Sequence, residues 1–324
     1  MQTTNLNTEN YIFQKNTSPD RRILAIGSLA FDSIKSPSGS VDRALGGSAN
    51  YFSIAASLFT GINLVGVVGD DFPRSHCDVL KSRDIDLAGL ETVQGKTFHW
   101  QGEYTTNLNE AKTIATHLNV FESFNPKIPA EYTKTPYLFL GNIAPTLQYS
   151  VYQQVQRPKI VALDSMNYWI TSQLGNLKQT LSIVDLLIIN ETEALMLSGS
   201  NNIVDAAASI RGMGPKVVIV KRGEYGALMF TKNSVFSAPA LPMPVVKDPT
   251  GAGDTFAGGV MGYLAHEGCG TEVFDNDAAL RRAIIYGCVL ASFTVEEFGF
   301  DRLIRVTKEE AKKRFETFIR MSAF

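Results

Sequence analysis

Two aspartates, Asp248 and Asp254, bracket the run Pro-Thr-Gly-Ala-Gly, and the chain then continues through Thr-Phe-Ala-Gly-Gly259 with apolar residues at helical spacing. This is a turn feeding a helix, with residue types suited to phosphoryl chemistry. Gly251 and Gly253 let the backbone turn and leave room for a ligand to approach the amides. Amides at a helix start carry about half a positive charge, so Gly251-Ala252-Gly253 can form an anion cradle. A carboxylate at the same place, Asp254, could orient an attacking hydroxyl and accept its proton; its plainer role there would be to cap the helix. A G-x-G-x-x-G fingerprint starting at Gly251 would need glycine where Phe256 stands, and the segment has no Gly-Lys-Ser/Thr of a Walker loop. Phosphate bound here is therefore expected on backbone amides, without a P-loop lysine.

Other polar residues stand close to strand-like runs. Asp32 could accept hydrogen bonds from two hydroxyls of a ligand, or cap a turn. Gly46 and Gly47 permit close approach to a ligand or simply a turn, and Asn50 could touch that ligand or cap the helix beginning there. Asn190 can cap a helix opening at Glu191. Glu193, in the first turn, could hold Mg²⁺ through water, because that ion uses few carboxylates and keeps several waters, or could be an ordinary solvated glutamate. Lys221 ends another run and precedes Gly223 and Gly226; it could meet phosphates or lie in solvent.

Positioning these groups needs a scaffold that gathers strand ends. Runs of β-branched and aliphatic residues recur at Ile23–Ile26, Leu64–Val68, Tyr137–Leu140, Ile160–Leu163, Leu186–Ile189 and Val217–Val220, mostly separated by helix-like segments. That alternation predicts an α/β fold: a doubly wound, mainly parallel sheet with helices on both faces, whose carboxyl edge binds ligands. Phe52, Ala55, Ala56 and Phe59 follow one helical face, and helices are expected over about 254–264, 277–294 and 308–319. Residues 92–121 break the rhythm. Thr97-Phe-His-Trp100 and Leu118-Asn-Val-Phe121 are β-prone with no crossover helix between them. They predict an antiparallel flap which, with residues 33–45, makes a small β lid over 33–45 and 92–122 that excludes water. Phe98, Trp100, Tyr104 and Phe121 could face a ligand or pack on one another.

With 324 residues, 44% apolar and 19% charged, the chain can bury a large core. A net charge of -2, without a long Lys/Arg run, argues against nucleic acid and anionic membrane as partners. Three scattered cysteines suit packing in a reducing cytoplasm rather than metal binding, and the four histidines lack paired ligand spacing. No apolar run is long enough for a membrane span, and residues 1–20 read as a polar tail.

Asp248-Pro-Thr-Gly-Ala-Gly-Asp254 resembles the D-x-x-G-A-G-D segment of the ribokinase-like, or phosphofructokinase B, carbohydrate kinase family. The resemblance extends, in family order, through Gly27-Ser-Leu-Ala-Phe-Asp32, Gly46-Gly47-Ser-Ala-Asn50, Asn190-Glu-Thr-Glu193 and Val220-Lys-Arg-Gly-Glu-Tyr-Gly226. It implies a ribokinase-like domain over 21–324 and an ATP-dependent kinase of cytoplasmic type that uses Mg²⁺ and, in many members, a monovalent cation such as K⁺. It further implies that Gly251, Ala252 and Gly253 form the anion hole, that Asp254 is the base, and that Asp32, Gly46, Gly47 and Asn50 contact the acceptor. Asn190, Lys221, Gly223 and Gly226 fall on the nucleotide side, Glu193 near Mg²⁺, and Asp248 and Thr250 at positions that serve the monovalent ion. A homodimer is compatible with it.

Departures from that pattern narrow the acceptor. Ser48 stands where family phosphofructokinases place a lysine for a sugar phosphate, and Asp164-Ser-Met-Asn-Tyr-Trp169 ends in tryptophan where kinases of keto-deoxy sugar acids carry arginine. A neutral acceptor is left, with a monosaccharide placed first and a nucleoside second. A non-catalytic ligand sensor on the same fold is the rival class.

Overall fold

Along Ile23–Ile26, Ile23 and Ala25 enter one apolar cluster while Leu24 and Ile26 enter another, so this strand is covered on both faces. Such uninterrupted apolar runs are what a parallel central sheet requires. The computed structural model describes residues 15–322. Its strands are β1 (Ile23–Ile26), β2 (Ala30–Ser36), β3 (Gly39–Gly46), β4 (Ile62–Gly69), β5 (Ile85–Val93), β6 (Phe98–Tyr104), β7 (Ala111–His117), β8 (Tyr137–Leu140), β9 (Ile160–Leu163), β10 (Leu186–Asn190), β11 (Val217–Lys221), β12 (Ala227–Phe230) and β13 (Val235–Ala238). Nine form the main sheet in the order β13-β12-β11-β10-β9-β8-β1-β4-β5. It is parallel from β5 to β11, and β12 and β13 complete it antiparallel. The chain runs outward from β1 to β4 and β5, then returns to β8 on the other side, and this reversal creates the crevice where such sheets bind ligands.

One face of the sheet is covered by the helices Ser48–Ala56, Ala252–Glu267 and Ala278–Thr294, the other by Pro145–Gln154, Leu174–Leu181, Glu191–Ser198 and Ile203–Arg211. Phe52 fixes the first helix to the sheet by stacking on Phe139 at 3.8 Å between ring centres, 5° from parallel. The helix Ala252–Glu267 lies close alongside because it presents glycine there: a Cβ on Gly258 would come within 2.4 Å of the Phe52 carbonyl oxygen. The loops after Gly46 and after Asp248 are thereby held together.

The lid is a separate sheet of four strands in the order β3-β2-β6-β7. The flap over 92–121 is antiparallel as expected, β6 pairing with β7, and it joins the antiparallel β2/β3 hairpin through a parallel β2/β6 pair. Leu118–Phe121, however, is not a strand. The second strand of that hairpin is Ala111–His117, and Asn119–Ser123 turns into a 3₁₀ helix where Phe121 stacks on Phe98 and Phe124. Of the tail expected over 1–20, residues 1–14 lie outside the described residues. Asn16 is placed, its amide donating to the Phe59 carbonyl at 2.8 Å. No described helix is long and apolar enough to cross a membrane.

Candidate active site

Polar residues converge at the carboxyl ends of β9, β10 and β11 and at the start of the helix Ala252–Glu267. That helix opens on Gly251, whose φ of 74° is the left-handed conformation glycine tolerates. Asp254 is the third residue of this helix, whose N-cap position is taken by Gly251, so it is not the N-cap residue. Lys221, at the end of β11, does not run into solvent. Its Nζ lies 3.2 Å from Asp164 Oδ1, and a Cβ on Gly253 would stand 3.0 Å from that nitrogen. The ammonium therefore lies against the second glycine of the cradle.

Asn190 and Glu193 form a reciprocal capping box: the Glu193 amide donates to Asn190 Oδ1 and the Asn190 amide to Glu193 Oε2, both at 2.8 Å. The expected Asn190 cap is present, and Glu193 is buried rather than solvated. Burial pushes Glu193 up to about 7, against Lys221 and with Asp164 adding to the rise. Asp254 is likewise pushed up to about 7, by burial and then by the Asp164 charge, with Lys221 opposing. Burial raises Asp164 too, and Lys221 opposes it. For Lys221, burial works against its charge, but Asp164, Glu193 and Asp254 outweigh it and hold the ammonium protonated. Three carboxylates thus share one cation and titrate as a group.

Across the cleft, Asp32 projects from β2 over Gly46, where an added Cβ would lie 1.8 Å from its Oδ2. Burial, then the charges of Asp248 and Asp254, push Asp32 up to about 7, while the Gly47 amide favours its ionised form. Asn50 does not cap its helix; its Nδ2 donates to the Gly46 carbonyl at 2.6 Å. Its Oδ1 and the hydroxyl of the neighbouring Tyr51 are buried without partners, an arrangement that costs about 1–3 kcal/mol for each such group.

The lid completes the enclosure. Tyr104 Oη meets Thr250 Oγ1 at 3.1 Å, and a Cβ on Gly223 would fall 1.7 Å from Asn109 Oδ1, so the lid hairpin reaches both the cradle loop and the turn after β11. Trp100 is the register partner of Asp32 across the β2/β6 pair, which puts both side chains on one face of the lid. Its indole lies over Gly102, where a Cβ would come within 2.0 Å of the ring, and its Nε1 donates to Thr113 Oγ1 at 3.2 Å. Phe98 and Phe121, by contrast, stack on each other at 5.3 Å. His99, on the opposite face, meets Ser33 Oγ at 2.8 Å.

Asp248 is fully buried and clamps two loops: Oδ1 accepts from the Thr250 amide at 2.9 Å and Oδ2 from the Gly299 amide at 3.1 Å. With Thr250 Oγ1 already paired to Tyr104, a monovalent cation there would have to share committed oxygens. Among the described residues no group of three or more His, Cys, Asp or Glu side chains could hold a metal ion. Asp164 and Glu193 suit Mg²⁺, which binds through few carboxylates, water and phosphate oxygens. Gly95-Lys96-Thr97 is a Gly-Lys-Thr tripeptide outside the cradle. It is not a Walker loop, because Leu90 stands where the leading glycine belongs and the residues that follow enter β6, not a helix. Clefts of about 420 Å³ around Asp277 and about 540 Å³ around Lys96 open elsewhere and include none of these site residues.

Asn190, Glu193, Lys221 and Gly251–Asp254 stand around the carboxyl ends of the main-sheet strands, and Asp32 and Gly46 face them from the lid strands β2 and β3, with Gly47, Asn50 and Asp248 alongside. The pairing of Asp164 with Lys221 was not expected, although a carboxylate directly after the run Ile160–Leu163 is a strand-end signal. Tyr51 was not expected either, and no spacing rule marks it.

Residues 21–304 match the model of the pfkB family of carbohydrate kinases. A cytidine kinase of Thermococcus kodakarensis is 30% identical over 248 residues, which cover 74% of this chain and 88% of that protein. Among solved structures, a ribokinase of Cryptococcus neoformans in complex with ADP superposes with a TM-score of 0.73 at 21% identity, covering 92% of this chain and 100% of that one. A nucleoside kinase of Burkholderia thailandensis in complex with inosine gives 0.71 at 20% identity, covering 91% and 98%.

Proposed function

We propose that this chain, which belongs to the pfkB family of carbohydrate kinases and so is a phosphotransferase with an alcohol acceptor, transfers the γ-phosphate of ATP to a hydroxyl of a neutral nucleoside. The observation that carries the acceptor class is Trp100. The benzene ring of its indole lies against Gly102 while the side chain shares a lid face with Asp32, an arrangement suited to a ligand with a planar ring beside vicinal hydroxyls. Similarity to the cytidine kinase supports the same reading. These two observations put the nucleoside ahead of the monosaccharide that the sequence reading placed first.

In this reading Asp32 and Asn50 bind the acceptor's hydroxyls over Gly46 and Gly47. Asp254 orients the reacting hydroxyl and accepts its proton. The amides of Ala252 and Gly253, at the positive end of their helix, stabilise charge on the phosphoryl oxygens. Lys221 keeps a positive charge against the cradle while balancing Asp164 and Glu193. Gly223 and Gly226 shape the nucleotide turn, and Asn190 fixes Glu193 beside it. Mg²⁺, held near Glu193 and Asp164, would neutralise phosphate charge. The Tyr104–Thr250 contact closes the lid and keeps water from the transferring group.

A coupled ADP-release assay over cytidine, inosine, adenosine, ribose, fructose and fructose 6-phosphate tests this. A nucleoside should exceed the others at least tenfold in kcat/KM. Preference for ribose or fructose would overturn the nucleoside assignment, preference for fructose 6-phosphate would overturn a neutral acceptor, and binding without ADP formation would favour a sensor. Trp100→Ala should lower kcat/KM for the nucleoside by about tenfold, the scale of one base–aromatic stack, and leave ribose nearly unaffected.

A further inference from the structure

Tyr51 belongs to none of the roles assigned above. It follows Asn50 in the first turn of the helix Ser48–Ala56 and is 1% exposed. Its ring lies under the cradle: three of its carbons are 2.4 Å from where a Cβ on Gly251 would sit. Phe300 also packs against the ring, with centroids 5.5 Å apart and the planes at 84°. Aromatic packing therefore fixes the phenol's direction, yet its hydroxyl has no partner. Two of the neighbouring polar groups are committed elsewhere. Both Asp248 oxygens accept backbone amides, and the Tyr104 hydroxyl is paired with Thr250. Burial and the charges of Asp248, Asp32 and Asp254 keep the phenol protonated, so it is a hydrogen-bond donor throughout the working pH range.

The surroundings restrict what can satisfy it. Carboxylates only accept, and a protonated phenol facing them has a proton to give. A group that fits between must accept from Tyr51 and donate to Asp32, Asp254 or the unpartnered Asn50 Oδ1. A neutral alcohol does both; a phosphate dianion has no proton to donate, and an ammonium has no lone pair to accept with.

We propose that the Tyr51 hydroxyl reads one hydroxyl of the acceptor, donating to it while that hydroxyl donates in turn to an acidic or amide oxygen of the site. Tyr51 is thus a specificity-determining residue that rejects acceptors lacking this hydroxyl. The inference rests on the reading of this pocket as the acceptor site of a kinase, but not on the acceptor being a nucleoside.

The test pairs Tyr51→Phe, which removes one oxygen and keeps the ring on Gly251, with the preferred acceptor and each of its monodeoxy analogues. In the wild type, one deoxy analogue should lose about 10²-fold in kcat/KM, because a polar group built to meet that hydroxyl is left unpaired. Tyr51→Phe should cost about 10-fold or more with the parent acceptor but less than about threefold with that analogue, leaving the KM for ATP unchanged. Since the hydroxyl has no internal partner, ligand-free Tyr51→Phe should melt no lower than the wild type. Equal losses across all analogues, a lowered melting temperature of the free protein, or a changed K⁺ requirement with unchanged acceptor discrimination would each overturn the proposal. The same cycle read by calorimetric acceptor binding without ATP does not depend on turnover. If only free sugars are accepted, the nucleoside reading fails, and the deoxysugar series still decides the role of Tyr51.

Discussion

Both halves of the cleft bury carboxylates, but their charges are balanced differently. Around Lys221, the acids Asp164, Glu193 and Asp254 share an ammonium that their combined field holds protonated. Around Asp32 the charges that act are further acids, Asp248 and Asp254, and a backbone amide of Gly47 is what favours its ionised form. The Lys221 half also ties itself down locally through the Asn190–Glu193 capping box. The Asp32 half leaves Asn50 Oδ1 and the Tyr51 hydroxyl unmet. On the proposed function, one half is assembled in advance for an anionic, metal-bearing nucleotide, and the other is completed by a neutral acceptor that brings hydroxyls.

The sharpest test of the assembled half is Asp254→Asn. Its kcat should fall by about 10²–10⁴, the worth of a positioned base, with acceptor binding and melting temperature close to wild type; steady-state ADP release at near-normal rate would break the assignment. Next is Lys221→Met, which leaves three acids without their cation. Removing one partner of a buried pair costs about 3–5 kcal/mol. The loss in melting temperature should be large at pH 8 and smaller at pH 5.5, where Asp254 and Glu193, both held near 7, have taken up protons. Calorimetric scans showing the same loss at both pH values would dissolve the shared-charge account.

For the acceptor half, Asp32→Ala should lower kcat/KM for the acceptor by about 10–10², from loss of charge-assisted hydrogen bonds worth about 1.5–3 kcal/mol, and hardly alter the KM for ATP. Equal effects on both substrates would erase the division into halves. Asp32 also carries a pH signature. Its folded value of about 7 stands above the ordinary aspartate value of 3.8, so between those two values the folded state binds the extra proton. The associated stability is fully present below about pH 4 and is lost as pH rises through 7. Asp32→Asn removes that loss. The variant's stability margin over the wild type should grow from near zero at pH 4 to a maximum above pH 7, and denaturant titrations at the two extremes would check the sign.

The smallest effect is expected from Glu193→Gln. The Mg²⁺ concentration for half-maximal rate should rise a few-fold, since one carboxylate near the ion's water shell is neutralised, while the capping geometry survives in the amide. An unchanged Mg²⁺ titration would leave Glu193 as a helix cap alone.

How much could be read beforehand depends on the range of the contacts. The anion cradle, Asp254 in the first helical turn, the Asn190 cap and the six runs of the parallel sheet are local: each follows from residue types within a few positions, so the sequence determined them. The lid's strand content was legible, but its exact extent was not. Leu118–Phe121 is β-prone, yet Phe121 gains more by stacking between Phe98 and Phe124 in a 3₁₀ turn. Only the tertiary structure decided that Lys221 meets Asp164 across 57 positions and that Tyr104 meets Thr250 across 146. It alone placed Tyr51 beneath Gly251 and Trp100 on the face of Asp32. These contacts depend on strand order and register, which are set by how two apolar faces pack around one sheet. Residue spacing along the chain carries no record of that.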